Sequence, residues 1–145
     1  VASFESLEHR MEKVATVRGI EFINDSKATN VNSTWYALES LNKPVIWIAG
    51  GIDKGNDYSV LQPLVKSKVR GMICLGVDNT KLHSAFGKSV DIMVNCTNMN
   101  DAVRMAYNLG NSGDAILLSP ACASFDLFEN YEDRGRQFKA AVRRL

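Results

Sequence analysis

The chain has 145 residues, of which 46% are hydrophobic and 23% are charged, and its formal net charge at pH 7 is +1. This composition is typical of a folded globular domain, and no apolar run approaches the roughly 20 residues that are needed to cross a bilayer. Because the net charge is close to zero, there is little electrostatic reason to expect binding of nucleic acid. We therefore expect one domain over residues 1–145, with no membrane span and no nucleic acid partner.

The predicted elements alternate between strands and helices along the chain. Residues 11–24 predict an antiparallel hairpin, because Arg18 and Gly19 form a turn signal between two β-prone runs. After it, apolar runs of strand length alternate with stretches whose apolar residues recur three or four positions apart. The predicted strands are residues 20–23, 44–50, 71–76, 91–94 and 114–119, and the predicted helices are residues 31–41, 58–67, 80–86 and 99–109. The charged stretch 129–138 is interpreted mostly as the solvated face of a further helix.

This order predicts an α/β fold, a doubly wound and mostly parallel sheet with an antiparallel edge near the N-terminus. Strands that are apolar on both faces and joined by helices belong to sheets that are covered on both sides. Ligands of such sheets bind beyond the carboxyl ends of the strands, where the strand order switches direction.

Three polar loops follow predicted strands and should therefore meet at that edge. Residues 24–30 contain Asp25 and Lys27 in a strand-to-helix turn, where free helix N–H groups favour an oxyanion. The alternative is that Thr29, Asn30 or Asn32 only caps the helix. Capping accounts for one polar residue but leaves the aspartate and the lysine unexplained.

The second loop, residues 50–55, combines three glycines with Lys54, a cation suited to a carboxylate. It matches neither common nucleotide-binding glycine pattern, and by itself it is equally typical of an ordinary turn. The third loop, residues 119–124, leaves backbone N–H groups and the Ser124 hydroxyl available to an anion. Its alternative is a turn that caps the next helix.

Cysteine and histidine are too sparse to suggest a metal or disulfide framework. Cys74, Cys96 and Cys122 are far apart, and only His9 and His83 accompany them, so no metal site and no disulfide are expected. Cys122 is interpreted as a small packing residue. We expect a cytoplasmic location, since the chain does not begin with a secretion signal. We also expect a monomer.

The strings FINDSKATNVNST, GGIDKGND and LSPACASFDLFENYEDRGRQF, in this order, resemble the C-terminal domain of the Mur ligases. The resemblance spans nearly the whole chain and favours the members that add D-glutamate to UDP-N-acetylmuramoyl-L-alanine in peptidoglycan synthesis. It implies a Rossmann-like domain that binds the amino acid and closes over ATP. The reaction implied is phosphorylation of a carboxylate, followed by attack of the D-glutamate amine on the acyl phosphate. ATP and Mg²⁺ would be held mainly by a central domain, which this chain lacks together with the uridine-binding domain.

The same resemblance assigns roles to eight residues. Thr29 and Lys54 would bind one carboxylate of D-glutamate, and Ser124 would bind the other together with the backbone at Phe125 and Tyr131. The residues that would face the nucleotide are Arg10, Asp25 and Lys27, with Asp25 toward the ribose and the cations toward phosphates. No catalytic residue is expected within this domain alone, which should be inactive in isolation. For Arg10, a surface salt bridge is the alternative.

Two other functions stay open on the sequence. One is a non-catalytic α/β module that binds a phosphorylated ligand or a nucleotide, since the fold alone does not determine function. The other is a ligase domain for a different amino acid, such as L-glutamate.

Overall fold

The computed structural model describes residues 8–145, so residues 1–7 of the predicted domain lie outside this description. The strands are β1 (Glu12–Val17), β2 (Ile20–Asn24), β3 (Val45–Ala49), β4 (Val69–Leu75), β5 (Ile92–Cys96) and β6 (Ala115–Leu118). The helices are α1 (Val31–Ser40), α2 (Gln62–Lys68), α3 (Thr80–Phe86), α4 (Met99–Leu109) and α5 (Tyr131–Arg143), and a short 3₁₀ turn at Ser59–Leu61 precedes α2. None of the helices in the described part of the chain has the length and apolar character of a membrane span.

The six strands form one sheet in the order β1-β2-β6-β3-β4-β5. Only the β1–β2 pair is antiparallel, and all other neighbours are parallel. The chain builds β3, β4 and β5 outward and then returns to insert β6 between β2 and β3. This confirms the predicted α/β sheet with its antiparallel edge, and it places the switch in strand order at β2, β6 and β3.

The hairpin between β1 and β2 turns at the two predicted residues. Arg18 and Gly19 have φ values of 53° and 76°. Positive φ at both central positions matches the right-handed twist of the flanking strands. The tight turn keeps the start of β1 beside the carboxyl end of β2, and Arg10 therefore lies next to the first polar loop.

The sheet is covered on both faces by helices. Along β3, Trp47 packs on the face that also buries Leu38 and Val65, whereas Ile46 and Ile48 join the core on the other face. Every residue of β3 is buried, as its unbroken apolar run predicts for a central parallel strand.

The structure differs from the sequence prediction at two elements. The prediction of full burial is wrong for β5, where Ile92 is 41% exposed, because this strand lies at the edge of the sheet. The solvated-face interpretation of residues 129–138 holds only for part of α5. Arg134, Gly135 and Phe138 are buried.

Candidate functional site

The three polar loops meet at the carboxyl ends of β2, β6 and β3 and are joined by backbone hydrogen bonds. The N–H of Ala121 donates to the carbonyl of Ala28 over 2.9 Å, which connects the third loop to the first. The N–H of Ile52 donates to the carbonyl of Ala123 over 2.9 Å, which connects the second loop to the third. The loops therefore form one continuous rim, with the β6 loop in the centre.

The second loop can approach the third only because it contains glycine. Gly51 has a φ of 140°, and a Cβ atom on it would lie 2.1 Å from the carbonyl oxygen of Ala123. Gly50 has a φ of 129°, and its Cβ would lie 2.6 Å from the carbonyl oxygen of Leu75. These contacts explain in steric terms the glycine pair seen in the sequence.

A cavity of about 360 Å³ opens between the three loops. All five residues that the resemblance assigns to D-glutamate line it, namely Thr29, Lys54, Ser124, Phe125 and Tyr131. Ser124 is buried at the base, whereas Lys54 and Phe125 are exposed. Among residues 8–145, no carboxylate lies within ion-pair distance of Lys54. Lys54 and Ser124 therefore share one cleft, although their role in binding stays a prediction.

Asp53, which the sequence analysis did not single out, shapes the loop that carries Lys54. Its Oδ1 atom accepts hydrogen bonds of 2.8 Å from the N–H groups of Gly55 and Asn56, and its Oδ2 accepts one of 2.8 Å from the Tyr58 hydroxyl. Burial acts to raise the pKa of Asp53, but these hydrogen bonds outweigh it and hold the pKa below its usual value. The ionised carboxylate closes the turn that presents Lys54.

A second cavity, of about 340 Å³, contains the three residues assigned to the nucleotide. Arg10, Asp25 and Lys27 line it together with Met11 and the exposed ring of Tyr36. In the described part of the chain, no carboxylate forms an ion pair with Arg10 or Lys27. The salt-bridge alternative for Arg10 therefore finds no partner there, and both cations are available to an anion.

Asp25 is more deeply embedded than the sequence suggested. It is 4% exposed, and its oxygens accept hydrogen bonds from the N–H of Met11 over 3.0 Å and from the Ser119 hydroxyl over 2.9 Å. Burial raises the pKa of Asp25 to about 6, against the opposing effect of these hydrogen bonds and of Arg10. Asp25 thus holds β1 and the β6 loop together, in addition to lining the cavity.

The two cavities lie on either side of one short segment of the first loop. Lys27 and Ala28 line the second cavity, and the next residue, Thr29, lines the first. Consecutive residues of the first loop therefore contribute to the walls of both cavities.

The capping alternative for the first loop is also realised, by one residue. Asn30 caps α1, since its side chain accepts a hydrogen bond of 2.9 Å from the N–H of Ser33.

Cys122 is buried, and burial raises the pKa of its thiol, as expected for a packing residue. Across residues 8–145 there is no group of three or more His, Cys, Asp or Glu side chains arranged to hold a metal ion.

Sequence reasoning missed Arg134, which is 1% exposed beneath the rim. Its guanidinium donates to the hydroxyl and the carbonyl of Ser26 and to the carbonyl of Cys122. Its position four residues before Phe138, within the apolar stripe of α5, was the signal that could have revealed its burial.

A family model described as Mur ligase, glutamate ligase domain, matches residues 9–122, which is most of the chain. The chain belongs to this family. The resemblance seen in the three sequence strings is thereby confirmed at the level of the family. Every loop of the rim falls at least partly within the matched range of this Mur ligase domain.

Two relatives show how far the similarity extends. UDP-N-acetylmuramoylalanine–D-glutamate ligase of Christiangramia forsetii is 64% identical over 145 residues, which are 100% of this chain and 33% of the relative. The protein of the same name in Porphyromonas gingivalis is 57% identical over 142 residues, covering 98% of this chain and 32% of the relative. The Mur ligase domain described here therefore spans about a third of the length of the curated relatives that it matches.

Solved structures share the fold at low sequence identity. The bifunctional folylpolyglutamate synthase/dihydrofolate synthase of Yersinia pestis has a TM-score of 0.64 and 16% identity, with 94% of this chain and 32% of that chain covered. A domain from a putative UDP-N-acetylmuramate:L-alanyl-gamma-D-glutamyl-medo-diaminopimelate ligase of Haemophilus ducreyi has a TM-score of 0.55 and 12% identity. The match covers 91% of this chain and 99% of that chain. At these identities the likeness concerns the fold alone.

Proposed function

We propose that this chain is the C-terminal, amino-acid-binding domain of an ATP-dependent ligase that adds D-glutamate to UDP-N-acetylmuramoyl-L-alanine. The names of the relatives that are 64% and 57% identical support the choice of D-glutamate. The observation that carries the proposal is the cavity of about 360 Å³ that brings Thr29, Lys54 and Ser124 together from three separate loops. A cytoplasmic location and a role in peptidoglycan synthesis are part of the same proposal.

The chemistry of the cavity suits a short dicarboxylic amino acid. Lys54 and the hydroxyl of Thr29 bind one carboxylate, and the Ser124 hydroxyl with the backbone at Phe125 and Tyr131 binds the other. Ammonium and hydroxyl donors form their strongest hydrogen bonds with carboxylates. Two separated anion sites also fix the amine of the bound D-glutamate in one orientation, which is the requirement for its attack on an acyl group.

The second cavity faces the nucleotide in this proposal. Arg10 and Lys27, which have no ion-pair partner among residues 8–145, meet the phosphate oxygens. The carboxylate of Asp25 already accepts two hydrogen bonds, but each oxygen has a second lone pair that a ribose hydroxyl can use. Mg²⁺ and most of the contacts to ATP belong to the remainder of the ligase.

The reaction implied by the family resemblance divides between the two cavities in this proposal. ATP phosphorylates the carboxylate of UDP-N-acetylmuramoyl-L-alanine on the Lys27 side, and the D-glutamate amine approaches the acyl phosphate from the Thr29 side. Phosphorylation releases ADP, and attack of the amine gives a tetrahedral intermediate, which loses a proton from its nitrogen and collapses to the amide with release of phosphate. Lys27 lies two residues before Thr29, and it stabilises the charge that develops on the phosphoryl oxygens.

Calorimetric titration of the chain with D-glutamate and L-glutamate tests the proposal. We expect weak, saturable binding of D-glutamate and weaker binding of L-glutamate. Lys54→Ala should reduce the affinity for D-glutamate by about ten-fold or more, the effect of losing a charge-assisted hydrogen bond. Lys88→Ala, which changes an exposed lysine outside both cavities, is the matched control and should bind as the unchanged chain does.

Two results would contradict this function. Preference for L-glutamate would favour a ligase of different specificity, and tight binding of a nucleotide with no response to either glutamate would favour a binding module. The isolated domain should also release no phosphate from ATP when D-glutamate and UDP-N-acetylmuramoyl-L-alanine are supplied. Turnover by this chain alone would contradict its assignment as one domain of a larger ligase.

A further inference from the structure

Arg134 is the most deeply buried charged side chain among the residues described, at 1% exposure. It lies in the first turn of α5, beneath the wall of the glutamate-binding cavity. No carboxylate in the described part of the chain lies within ion-pair distance of its guanidinium. Burial is the main influence on it and lowers the pKa of Arg134 to about 10, which still leaves the side chain charged at neutral pH.

The guanidinium instead donates to three oxygen atoms in two of the polar loops. Its Nε and Nη2 atoms donate to the hydroxyl and the carbonyl of Ser26, over 3.0 Å and 2.8 Å. Its Nη1 atom donates to the carbonyl of Cys122 over 3.1 Å. The planar fork of an arginine fixes the relative positions of its acceptors, which a lysine or an apolar residue does not do.

The acceptors are adjacent to the residues that bind substrate in the proposed function. Ser26 lies three positions before Thr29, and Cys122 lies two positions before Ser124, so Arg134 spans the two sides of the cavity. The Ser26 hydroxyl also donates to the carbonyl of Tyr131 over 2.7 Å, which connects the start of α5 to the same point. The buried hydrogen-bond network of Arg134 and Ser26 therefore includes the Tyr131 carbonyl, and it reaches residues that lie no more than three positions from Thr29 and Ser124.

The nucleotide side of the first loop has anchors that do not involve Arg134. The N–H of Asp25 donates to the carbonyl of Leu118 over 2.7 Å, and the N–H of Lys27 donates to the carbonyl of His9 over 2.9 Å. Loss of Arg134 should therefore disturb the glutamate cavity more than the nucleotide cavity.

We propose that Arg134 is a positioning residue that sets the distance between the two carboxylate-binding sites for D-glutamate. It acts through Ser26 and Cys122 and does not touch the substrate. Desolvation of an arginine without a carboxylate partner is costly, and an apolar residue of similar volume would fill the space at lower cost. Precise separation of Thr29 and Ser124 is the property that an apolar residue would not provide. This inference rests on the proposed function.

The test uses steady-state kinetics of the complete ligase that carries this domain. For Arg134→Met we expect the KM for D-glutamate to rise about ten-fold to a hundred-fold, the range expected when groups that bind substrate are displaced by up to 1 Å. The KM values for ATP and for UDP-N-acetylmuramoyl-L-alanine should stay within about two-fold, because the nucleotide side of the loop has other anchors. A general loss of structure would instead raise all three KM values. Arg136→Met, at an exposed position of the same helix, is the matched control and should leave every KM unchanged.

Two further variants keep the inference testable if Arg134→Met does not fold. Arg134→Lys retains the charge without the fork, and Ser26→Ala removes only the shared hydroxyl, and each should raise the KM for D-glutamate selectively. Because Arg134 acts partly through Ser26, the effects of Arg134→Lys and Ser26→Ala should be less than additive when combined. An unchanged KM for D-glutamate in both single variants would overturn the positioning role. If the unaltered ligase shows no dependence on D-glutamate, the proposed function fails instead.

Discussion

The Nζ atom of Lys27 lies 6.0 Å from the centre of the Tyr131 ring, although the two side chains line different cavities. The ring also meets His9 edge-on, with the two ring centres 6.0 Å apart. Tyr131 therefore contacts a cation of the cavity that contains Arg10 while it lines the cavity that contains Lys54. A change in the position of this ring should be felt in both cavities.

The ring of Tyr131, and not its hydroxyl, makes the contact with Lys27. A cation over an aromatic face contributes about 0.5–1 kcal/mol when it is exposed to solvent. We expect Tyr131→Leu to weaken D-glutamate binding by about two-fold to five-fold, and Tyr131→Phe to leave it unchanged. Calorimetric titration measures both values, and equal loss in the two variants would show that the hydroxyl is the important group.

The buried carboxylate of Asp25 should make stability depend on pH. Its pKa is raised from 3.8 to about 6 in the folded chain, so the folded state holds the proton more tightly than the unfolded state does. The contribution of Asp25 to the free energy of unfolding is fully present below about pH 4 and is lost as the pH rises through about 6. The ionised group lowers the free energy of unfolding above that range by at most about 3 kcal/mol.

The variant Asp25→Asn isolates this effect. An asparagine can accept from the N–H of Met11 and donate to Ser119, whose own hydroxyl can donate to Thr34 over 2.9 Å. We expect the variant to be more stable than the unchanged chain at pH 8 and the difference to shrink toward pH 4. Urea unfolding at several pH values measures it. A difference that does not vary with pH would show that folding does not raise the pKa of Asp25.

Lys68 should stabilise the end of α1, which has no basic residue in its own last turn. Its Nζ donates to the carbonyl groups of Leu38, Glu39 and Leu41 over 2.9, 3.0 and 2.7 Å. A cation at a helix C-terminus and its charge-assisted hydrogen bonds together contribute about 2 kcal/mol.

Lys68→Met should therefore lower the urea midpoint of unfolding by the equivalent of about 2 kcal/mol. Lys66→Met is the control, because Lys66 is exposed and shares with Lys68 only the position in the last turn of α2, so it should shift the midpoint by less than the equivalent of about 1 kcal/mol. Similar midpoints for the two variants would mean that water replaces these contacts at no cost.

Gly51 should be intolerant of any side chain. Gly51→Ala would place a Cβ atom 2.1 Å from the carbonyl oxygen of Ala123 and separate the second loop from the third. We expect D-glutamate binding to be lost in calorimetric titration. Gly113→Ala, at a φ of 95° with open space around it, should cost only the strain of its backbone, about 1–2 kcal/mol, and retain binding. Binding by the Gly51 variant would show that the two loops need not be in contact.

Most of the fold followed from patterns that are local in the sequence. The apolar runs at β3 and β6 and the turn signal at Gly19 predicted the parallel sheet and its antiparallel edge, because these features depend on burial and on backbone geometry. The exposure of β5 was not predictable, since the position of a strand at an edge depends on the order in which strands pair. A strand sequence does not encode that order.

The candidate site was predictable to the level of its loops, but the buried network was not. Lys54 and Ser124 were recognisable because polar residues that follow strands collect at one edge of a parallel sheet. The contacts of Arg134 were not predictable, because its partners are the hydroxyl and carbonyl of Ser26 and the carbonyl of Cys122, all more than ten positions away in the sequence. The place of Arg134 in the apolar stripe of α5, four residues before Phe138, could have indicated its burial, but backbone acceptors carry no signal in a sequence and its partners could not be predicted.

Amide chemical-shift mapping of the labelled chain with D-glutamate tests the central claim most directly. We expect saturable shifts that cluster at Thr29, Lys54, Ser124 and Phe125, with L-glutamate causing smaller shifts at the same concentration. Residues at the opposite edge of the sheet, such as Lys43 and Arg70, should not respond. Shifts confined to the cavity of Arg10 and Lys27, or no shifts at Lys54 and Ser124 at saturation, would contradict the proposal that one cleft binds both carboxylates.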